Sequence, residues 1–360
     1  MRIGARKASA VVASVVGVAV AVAGLANKLT AESTAASAPT CPVTSIPGAT
    51  EGSFESEASA STPQRYAPLV FLHPNERFLP MPADCFIANS SLDFAEGKDK
   101  QSVLAERGTL SADKLIRPGY EHGGFTTRDK TRPFAGGRAQ ALAGRHGFYL
   151  DVEDHFRLGS RSTETSVFFG GTPVYYEYAP GRYVTYWFFY GFSAPAGRLA
   201  APLRKAGVKS AGHEGDWEGI SVGLDKQDAA VSAVYFAHGE KVEPLPWAKV
   251  KKLGGHPIVF SALGSHASYT TSGKQVNLDV TGGGPIWATW LLIADVRVQT
   301  WHGYGGAWGI ARAVPAVVRA VAHRFGKEVG EGEFTGPIGP PFKASPYDEP
   351  AKATTSSPVG

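Results

Sequence analysis

The sequence predicts a mainly β protein, an antiparallel β-sandwich with long loops and one or two short helices. Of its 360 residues, 43% are hydrophobic, which is enough for a sizeable core. Short aromatic or β-branched runs are punctuated by Gly and Pro, a pattern typical of antiparallel β proteins. Helical periodicity is scarce, so we expect one folded domain built from packed sheets.

The clearest element is a β-hairpin at Ala179-Pro180-Gly181. The runs VYYEY (174–178) and RYVTYWFFY (182–190) flank this turn, and the aromatic side chains are interpreted as sheet packing. The best helix candidate covers residues 310–325, where Pro315 predicts a late start or a kink. Further strands are predicted over residues 217–224, 231–236, 257–262 and 287–298.

The two ends of the chain differ in composition from the middle. Residues 1–26 carry three basic residues and then an uncharged run with small residues at its end, which predicts a signal peptide and a secreted protein. The alternative is an N-terminal membrane anchor, because the uncharged run is just long enough to span a bilayer. We expect a flexible tether at 27–62, the β-sandwich domain at 63–341 and a disordered tail at 342–360.

Charge and cysteine content narrow the choice of partners and compartment. The 36 basic and 32 acidic residues are spread along the chain without a Lys/Arg block, so we expect no nucleic-acid partner. The two cysteines, Cys41 and Cys85, both follow the predicted signal peptide. In an oxidising compartment they are expected to form a disulfide.

The segment AGHEGDWEGISVG (211–223) places charged residues just before an apolar strand pattern. On a strand, Asp216 and Glu218 share a face with Ile220 and therefore lie at the mouth of the core. Two such carboxylates need a divalent cation or a fixed Arg/Lys partner. With His213 just before the strand, the sequence predicts a metal site of His213, Asp216 and Glu218, which would bind Ca²⁺, Mg²⁺, Mn²⁺ or Zn²⁺.

Two further histidines, His238 in YFAHGE and His266 in FSALGSHASY, follow short apolar strand patterns in the same way. If the strands are neighbours, the three histidine segments converge at one end of the sandwich, and His238 or His266 is a candidate general acid or base. The plainer interpretation of each residue is a cap or a hydrogen-bonded core group. Glu76, in the Pro-bounded turn LHPNERFLP, is interpreted as structural.

Several segments, in this order, resemble the vacuolar-protein-sorting-associated "sixty-two" family across residues 64–341. They are YAPLVFLHPNERFLP (66–80), YWFFYGF (186–192), HEGDWEGISV (213–222), VYFAHG (234–239), FSALGSHASY (260–269) and GPIGPP (336–341). A more distant resemblance links residues 212–218 to the G-H-R-H-D-W-E motif of the necrosis- and ethylene-inducing peptide-like proteins. Those are secreted β-sandwich cytolysins that bind a divalent cation and recognise sphingolipid headgroups.

The second resemblance implies metal-binding roles for His213, Asp216 and Glu218. The chain departs from that motif at Glu214 and Gly215, which replace its Arg and its second His. The resulting hypothesis is a secreted, metal-binding β-sandwich protein that recognises a membrane-lipid headgroup or a cell-surface glycan, with cytolysin-like action included. Two alternatives stay open: a metal-dependent hydrolase of phosphoesters or glycosides, and a structural extracellular domain. Whether the protein is an enzyme is left undecided.

Overall fold

The computed structural model describes eleven stretches of the chain. They are residues 46–52, 60–96, 101–129, 146–159, 172–194, 200–207, 212–238, 243–275, 278–310, 314–326 and 336–348. All of them belong to the compact unit Pro39–Gly360. The predicted signal peptide lies outside these stretches, so secretion and anchoring stay predictions. Within them, no helix combines the length and the apolar character that crossing a membrane demands.

Strands dominate the described residues, and the helices are short. The strands are β1 Ala49–Glu51, β2 Leu69–Phe71, β3 Ser90–Glu96, β4 Gln101–Ala105, β5 Glu121–His122, β6 Phe125–Thr126, β7 His146–Val152, β8 Val174–Ala179, β9 Tyr183–Ser193, β10 His213–Leu224, β11 Ala230–Tyr235, β12 Leu245–Pro246, β13 Lys252–Leu253, β14 His256–Ser261, β15 Ser268–Tyr269, β16 Gly273–Lys274, β17 Val280–Thr281, β18 Ile286–Ala288 and β19 Leu292–Asp295. The α-helices are α1 Thr62–Arg65, α2 Ala83–Ala88, α3 Ala200–Lys205 and α4 Ala316–Arg324.

Two larger sheets form a sandwich-like arrangement, and a smaller sheet adds to it. The largest sheet has the order β1-β19-β8-β9-β10-β11-β12, and a second has the order β13-β14-β2-β18 with β15 paired to β14. A three-stranded sheet has the order β4-β3-β7. The prediction of a mainly β fold with antiparallel sheets is confirmed, although β19 pairs with β8, and β14 with β2, in parallel.

Two hydrophobic cores use side chains from opposite faces of the largest sheet. The first core contains Tyr186 of β9 and Ile220 of β10 together with Val70 of β2. The second contains Trp187 and Trp217, which alternate with them, together with side chains from β3 and β7. Because β9 is buried on both faces, it reads as a continuous aromatic run rather than an alternating one. This confirms the packing interpretation of that run.

The hairpin and the helix predictions are confirmed. β8 ends at Ala179, which pairs with Tyr183 at the start of β9, and Gly181 takes the left-handed conformation that the turn requires. Helix α4 begins directly after Pro315, whose ring suits a position before the first turn. The late start is therefore the correct one of the two alternatives.

The strand predicted over 287–298 is wrong as a single element. β18 belongs to the second sheet and β19 to the largest one, with a 3₁₀ turn, Thr289–Leu291, between them. The Thr289 hydroxyl donates to the carbonyl of Pro68 at 2.7 Å and fixes the point where the chain changes sheets. An apolar run alone does not reveal such a crossing.

Both predicted domain boundaries need correction. β1 lies inside the segment predicted to be a tether and pairs with β19. The predicted tail also packs on the domain, because the Tyr347 hydroxyl hydrogen-bonds Ser232 at 2.8 Å. Cys85 is buried in the second core, whereas Cys41 lies outside the described residues, so the disulfide stays a prediction.

Candidate functional site

A glycine divides the charged motif on β10 between the two cores. Gly215 has a φ of 60°, and a β-carbon there would collide with the backbone of a neighbouring loop. Before it, Glu214 is buried, forms an ion pair with Arg157 and accepts a hydrogen bond from the backbone of Val152 in the second core. After it, Asp216 lies on the side of the first core. Strand alternation predicted that Asp216 lies on the side of the first core. Alternation alone would put Glu214 on that side too, and the left-handed conformation of Gly215 explains why Glu214 lies in the second core instead.

His266 lies between two carboxylates and is entirely buried. Its Nδ1 hydrogen-bonds Oδ2 of Asp216 at 2.9 Å, and its Nε2 is 3.6 Å from Oε1 of Glu76. The ring stacks on Tyr190 with centroids 3.8 Å apart, and its exposure is 0%. We call Glu76, Asp216 and His266 the sealed cluster.

The sealed cluster is an ion-pair network. Burial alone would lower the pKa of His266, but the charge of Glu76 and the charge and hydrogen bond of Asp216 raise it to about 10. Burial would likewise raise the pKa of Glu76, yet His266 and the backbone N–H groups of Gly264 and Phe78 lower it to about 2. The imidazole is therefore a buried cation at neutral pH.

Glu218 and Lys343 are two further ionisable groups beside this cluster, and they interact electrostatically with each other. Burial, followed by the charge of Asp216, raises the pKa of Glu218 well above its ordinary value. Burial lowers the pKa of Lys343, against the opposing effect of Glu218 and Asp216. The Lys343 ammonium donates to the carbonyl of Trp217 at 2.8 Å. The sequence left open whether a divalent cation or a fixed Arg/Lys partner stabilises these carboxylates. The structure places His266 against Asp216 and Lys343 near Glu218.

The predicted metal ligands His213, Asp216 and Glu218 do not form a coordination set. The Nδ1 of His213 donates to the carbonyl of Gly215 at 2.8 Å, and Oδ2 of Asp216 is occupied by His266. Among the residues that the structure describes, no group of three or more His, Cys, Asp or Glu side chains could hold a metal ion. One ring nitrogen of His213 and one oxygen of Asp216 are therefore engaged by protein groups, and the divalent cation stays a prediction from the motif.

The second histidine, His238, also pairs with an aspartate, but this pair is open to solvent. Its Nε2 hydrogen-bonds Oδ2 of Asp279 at 2.6 Å, and its side chain is 27% exposed. Asp279 also accepts hydrogen bonds from the hydroxyls of Ser265 at 3.0 Å and Tyr269 at 2.9 Å. We call His238 and Asp279 the open pair.

The carboxylate of Asp279 is ionised and accepts three hydrogen bonds. Its burial would raise its pKa, but the hydrogen bonds from His238, Tyr269 and Ser265 together with the His238 charge lower it. Both of its oxygens are therefore fixed in direction, and they fix the ring of His238 in turn. A histidine oriented in this way and exposed to solvent can bind a polar ligand or transfer a proton.

The three histidine segments meet as predicted, because Asp216 of the first segment bonds His266 of the third. Ser265 contacts Asp279 of the open pair, and its neighbour His266 belongs to the sealed cluster, so one loop joins the two. His213 lies on β10 and bonds to its own backbone. Because His266 is fully buried, only His238 of the two candidate acid–base residues can meet a ligand.

Three residues of the site were not assigned by the sequence analysis. Glu76 was interpreted as a structural turn residue. Its contact with His266 joins two residues that are far apart in the sequence. Asp279 and Lys343 carry no motif that singles them out. A possible signal for Asp279 was its position just before β17, in the strand pattern that follows the GSHASY segment.

Comparisons with known proteins add no further information on this site. No family model, curated protein or solved structure matches the chain. Membership of the "sixty-two" family and the likeness to the cytolysins stay predictions from the motifs.

Proposed function

We propose that this protein is a secreted binding protein that recognises a polyhydroxylated group, the sugar of a cell-surface glycan or of a membrane lipid, at the open pair. One observation carries the proposal: His238 is held at 2.6 Å by the ionised Asp279 while its ring stays partly exposed. Polar groups with fixed directions are what orient a ligand in a binding site. The export-type N-terminus and the resemblance to headgroup-binding cytolysins support the same class of ligand.

The contacts around the open pair hold its side chains in one conformation before a ligand binds. Ser265 and Tyr269 fix Asp279, and the sealed cluster fixes the loop that carries Ser265. Side chains held by such outer contacts lose little conformational entropy when a ligand arrives. The proposal requires no cation, because the carboxylate of the open pair is held by His238, Ser265 and Tyr269.

Binding can be measured with phosphatidylcholine vesicles that contain galactosylceramide or glucosylceramide, and with soluble dextran and insoluble cell-wall polysaccharides. Vesicle binding alone would identify a lipid source, and binding to polysaccharides a glycan source. The variant His238→Ala should lose binding at least about tenfold, equal to about 1.4 kcal/mol. The matched control is His155→Ala, which removes an exposed histidine from a 3₁₀ helix elsewhere in the domain. A wild-type protein that binds none of these, with or without added Ca²⁺, Mg²⁺, Mn²⁺ or Zn²⁺, contradicts the proposal and leaves a structural domain.

A second candidate function, hydrolysis of a glycoside or phosphoester, is favoured by the same short contact between His238 and Asp279. A histidine paired with a buried carboxylate is a general base whose conjugate acid the carboxylate stabilises. Chromogenic glycosides and phosphodiesters test this function directly. Turnover that His238→Ala abolishes and His155→Ala preserves supports hydrolysis, whereas inactivity across the panel contradicts it.

A further inference from the structure

The hydrogen bonds of Asp279 determine which ring nitrogen of His238 carries a proton. An ionised carboxylate only accepts hydrogen bonds, so the contact of 2.6 Å requires a proton on Nε2 of His238. Ser265 and Tyr269 donate to the same carboxylate and hold it in place. Whenever the ring is neutral, it is therefore fixed as the Nε2–H tautomer.

The other nitrogen, Nδ1, is left with a lone pair and a route to solvent. A neutral imidazole has one N–H, and the proton is already on Nε2. Nδ1 has no hydrogen bond to any of the residues that the structure describes, and the side chain is 27% exposed. Its backbone φ of 53° lies in the left-handed region, which histidine adopts more readily than most residues.

We propose that Nδ1 of His238 accepts a hydrogen bond from a hydroxyl of the ligand, which makes the site selective for neutral polyhydroxylated groups over their sulfated or phosphorylated forms. This inference rests on the proposed function and names its ligand class. A hydroxyl supplies the donor that an imidazole lone pair needs, whereas a sulfate or phosphate oxygen only accepts. The carboxylate of Asp279, one ring away, adds repulsion toward an anion.

The carboxylates behind the open pair act in the same direction. Asp216 and Glu76 are balanced by the single cation of His266, and Asp279 has no cationic partner among the described residues when His238 is neutral. Three carboxylates and one buried cation leave a net negative charge behind the open pair, which disfavours an anion. Lys343 donates to the carbonyl of Trp217.

The tautomer is measured without any ligand, by ¹⁵N NMR of the histidine rings at mildly alkaline pH. The result expected for His238 is a protonated Nε2 and an unprotonated Nδ1. In Asp279→Asn, an isosteric change, the amide can donate, and the enforced tautomer should be lost; Ser265→Ala is the matched control, because Asp279 keeps its bond to His238. A wild-type ring protonated on Nδ1 instead overturns the inference, whatever the variants do.

Selectivity is measured with two matched pairs of probes at physiological ionic strength and at the same mildly alkaline pH, where the ring is neutral. They are vesicles with galactosylceramide or with its sulfated form, and soluble dextran or dextran sulfate. We expect at least about tenfold weaker binding of each sulfated probe, with the difference abolished in His238→Ala. If wild type binds the sulfated probes as tightly as the neutral probes, or more tightly, the inference is overturned and the proposed function stands. Absence of binding to all neutral probes overturns both.

Discussion

The two histidine–aspartate pairs of this protein differ chiefly in their exposure. His266 bonds to Asp216 with its ring fully buried, and Glu76 supplies a second carboxylate. His238 bonds to Asp279 with its ring partly exposed, and hydroxyl groups supply the other contacts of the carboxylate. The first arrangement holds a positive charge in the core at neutral pH, and the second leaves a ring nitrogen accessible to solvent. The same residue types therefore serve stability in one loop and recognition in the next.

The largest expected effect comes from removing the buried cation. His266→Ala leaves Asp216 and Glu76 buried without a positive partner, and we expect a loss of about 3–5 kcal/mol in the free energy of unfolding. Urea denaturation measures it. The matched variant His238→Ala should lose less than about 1 kcal/mol, because that ring is partly solvated. Equal losses in the two variants would erase the distinction between sealed and open pairs.

The next effect is a dependence of stability on pH that arises in the sealed cluster. The folded pKa of His266 is raised from 6.5 to about 10, so its contribution is complete below pH 6.5 and is lost as the pH rises toward 10. The folded pKa of Glu76 is lowered from 4.5 to about 2, so its contribution is present above pH 4.5 and is lost as the pH falls toward 2.

Unfolding free energies measured from acid to alkaline pH check both directions. Glu76→Gln should reduce the acid loss, because the titrating carboxylate is gone. A stability that stays constant from pH 6.5 to 10 would show that His266 does not carry the proton assigned to it.

A smaller effect separates the two glutamates of the site. At neutral pH Glu76 is ionised, so Glu76→Gln removes a charged partner of His266 and should cost about 2 kcal/mol. Burial and the charge of Asp216 raise the pKa of Glu218, so the fold disfavours its charged form, and Glu218→Gln should change stability by less than about 1 kcal/mol. Thermal unfolding of the two variants side by side makes the comparison, and the reverse order contradicts it.

The smallest effect concerns the hydroxyl groups behind the open pair. Ser265→Ala and Tyr269→Phe each remove one hydrogen bond to Asp279, and each should cost about 1 kcal/mol. Because two donors remain in each variant, the His238 ring should keep its tautomer, which NMR can verify. A variant that loses the tautomer without losing stability would mean that the hydroxyls, and not Asp279, orient the ring.

Period-2 patterning made part of this site predictable. The alternation along β10 correctly gave Asp216 the same face as Ile220, and the requirement for a positive charge beside buried carboxylates was also correct. The identity of that charge was not predictable, because His266 and Lys343 reach the site from segments far away in sequence. Local spacing predicts His213 as a metal ligand but did not reveal that its Nδ1 bonds to the carbonyl of Gly215.

The fold shows the same division between local and distant information. The hairpin before Tyr183 and the helix start after Pro315 depend on turn and proline stereochemistry, which the sequence displays directly. The pairing of β1 with β19 and the packing of Tyr347 against Ser232 join segments at opposite ends of the chain. Their small-residue and polar composition resembles a linker, so pattern alone placed them outside the domain.

The most direct test of the account is the protonation state of His266 in the folded protein at neutral pH. ¹⁵N NMR of the ring should show protons on both nitrogens, with shifts that do not change when Ca²⁺, Mg²⁺, Mn²⁺ or Zn²⁺ is added or a chelator removes them. A neutral ring, or one whose signals move when a cation binds, would contradict the conclusion that the histidine itself is the positive charge between the carboxylates.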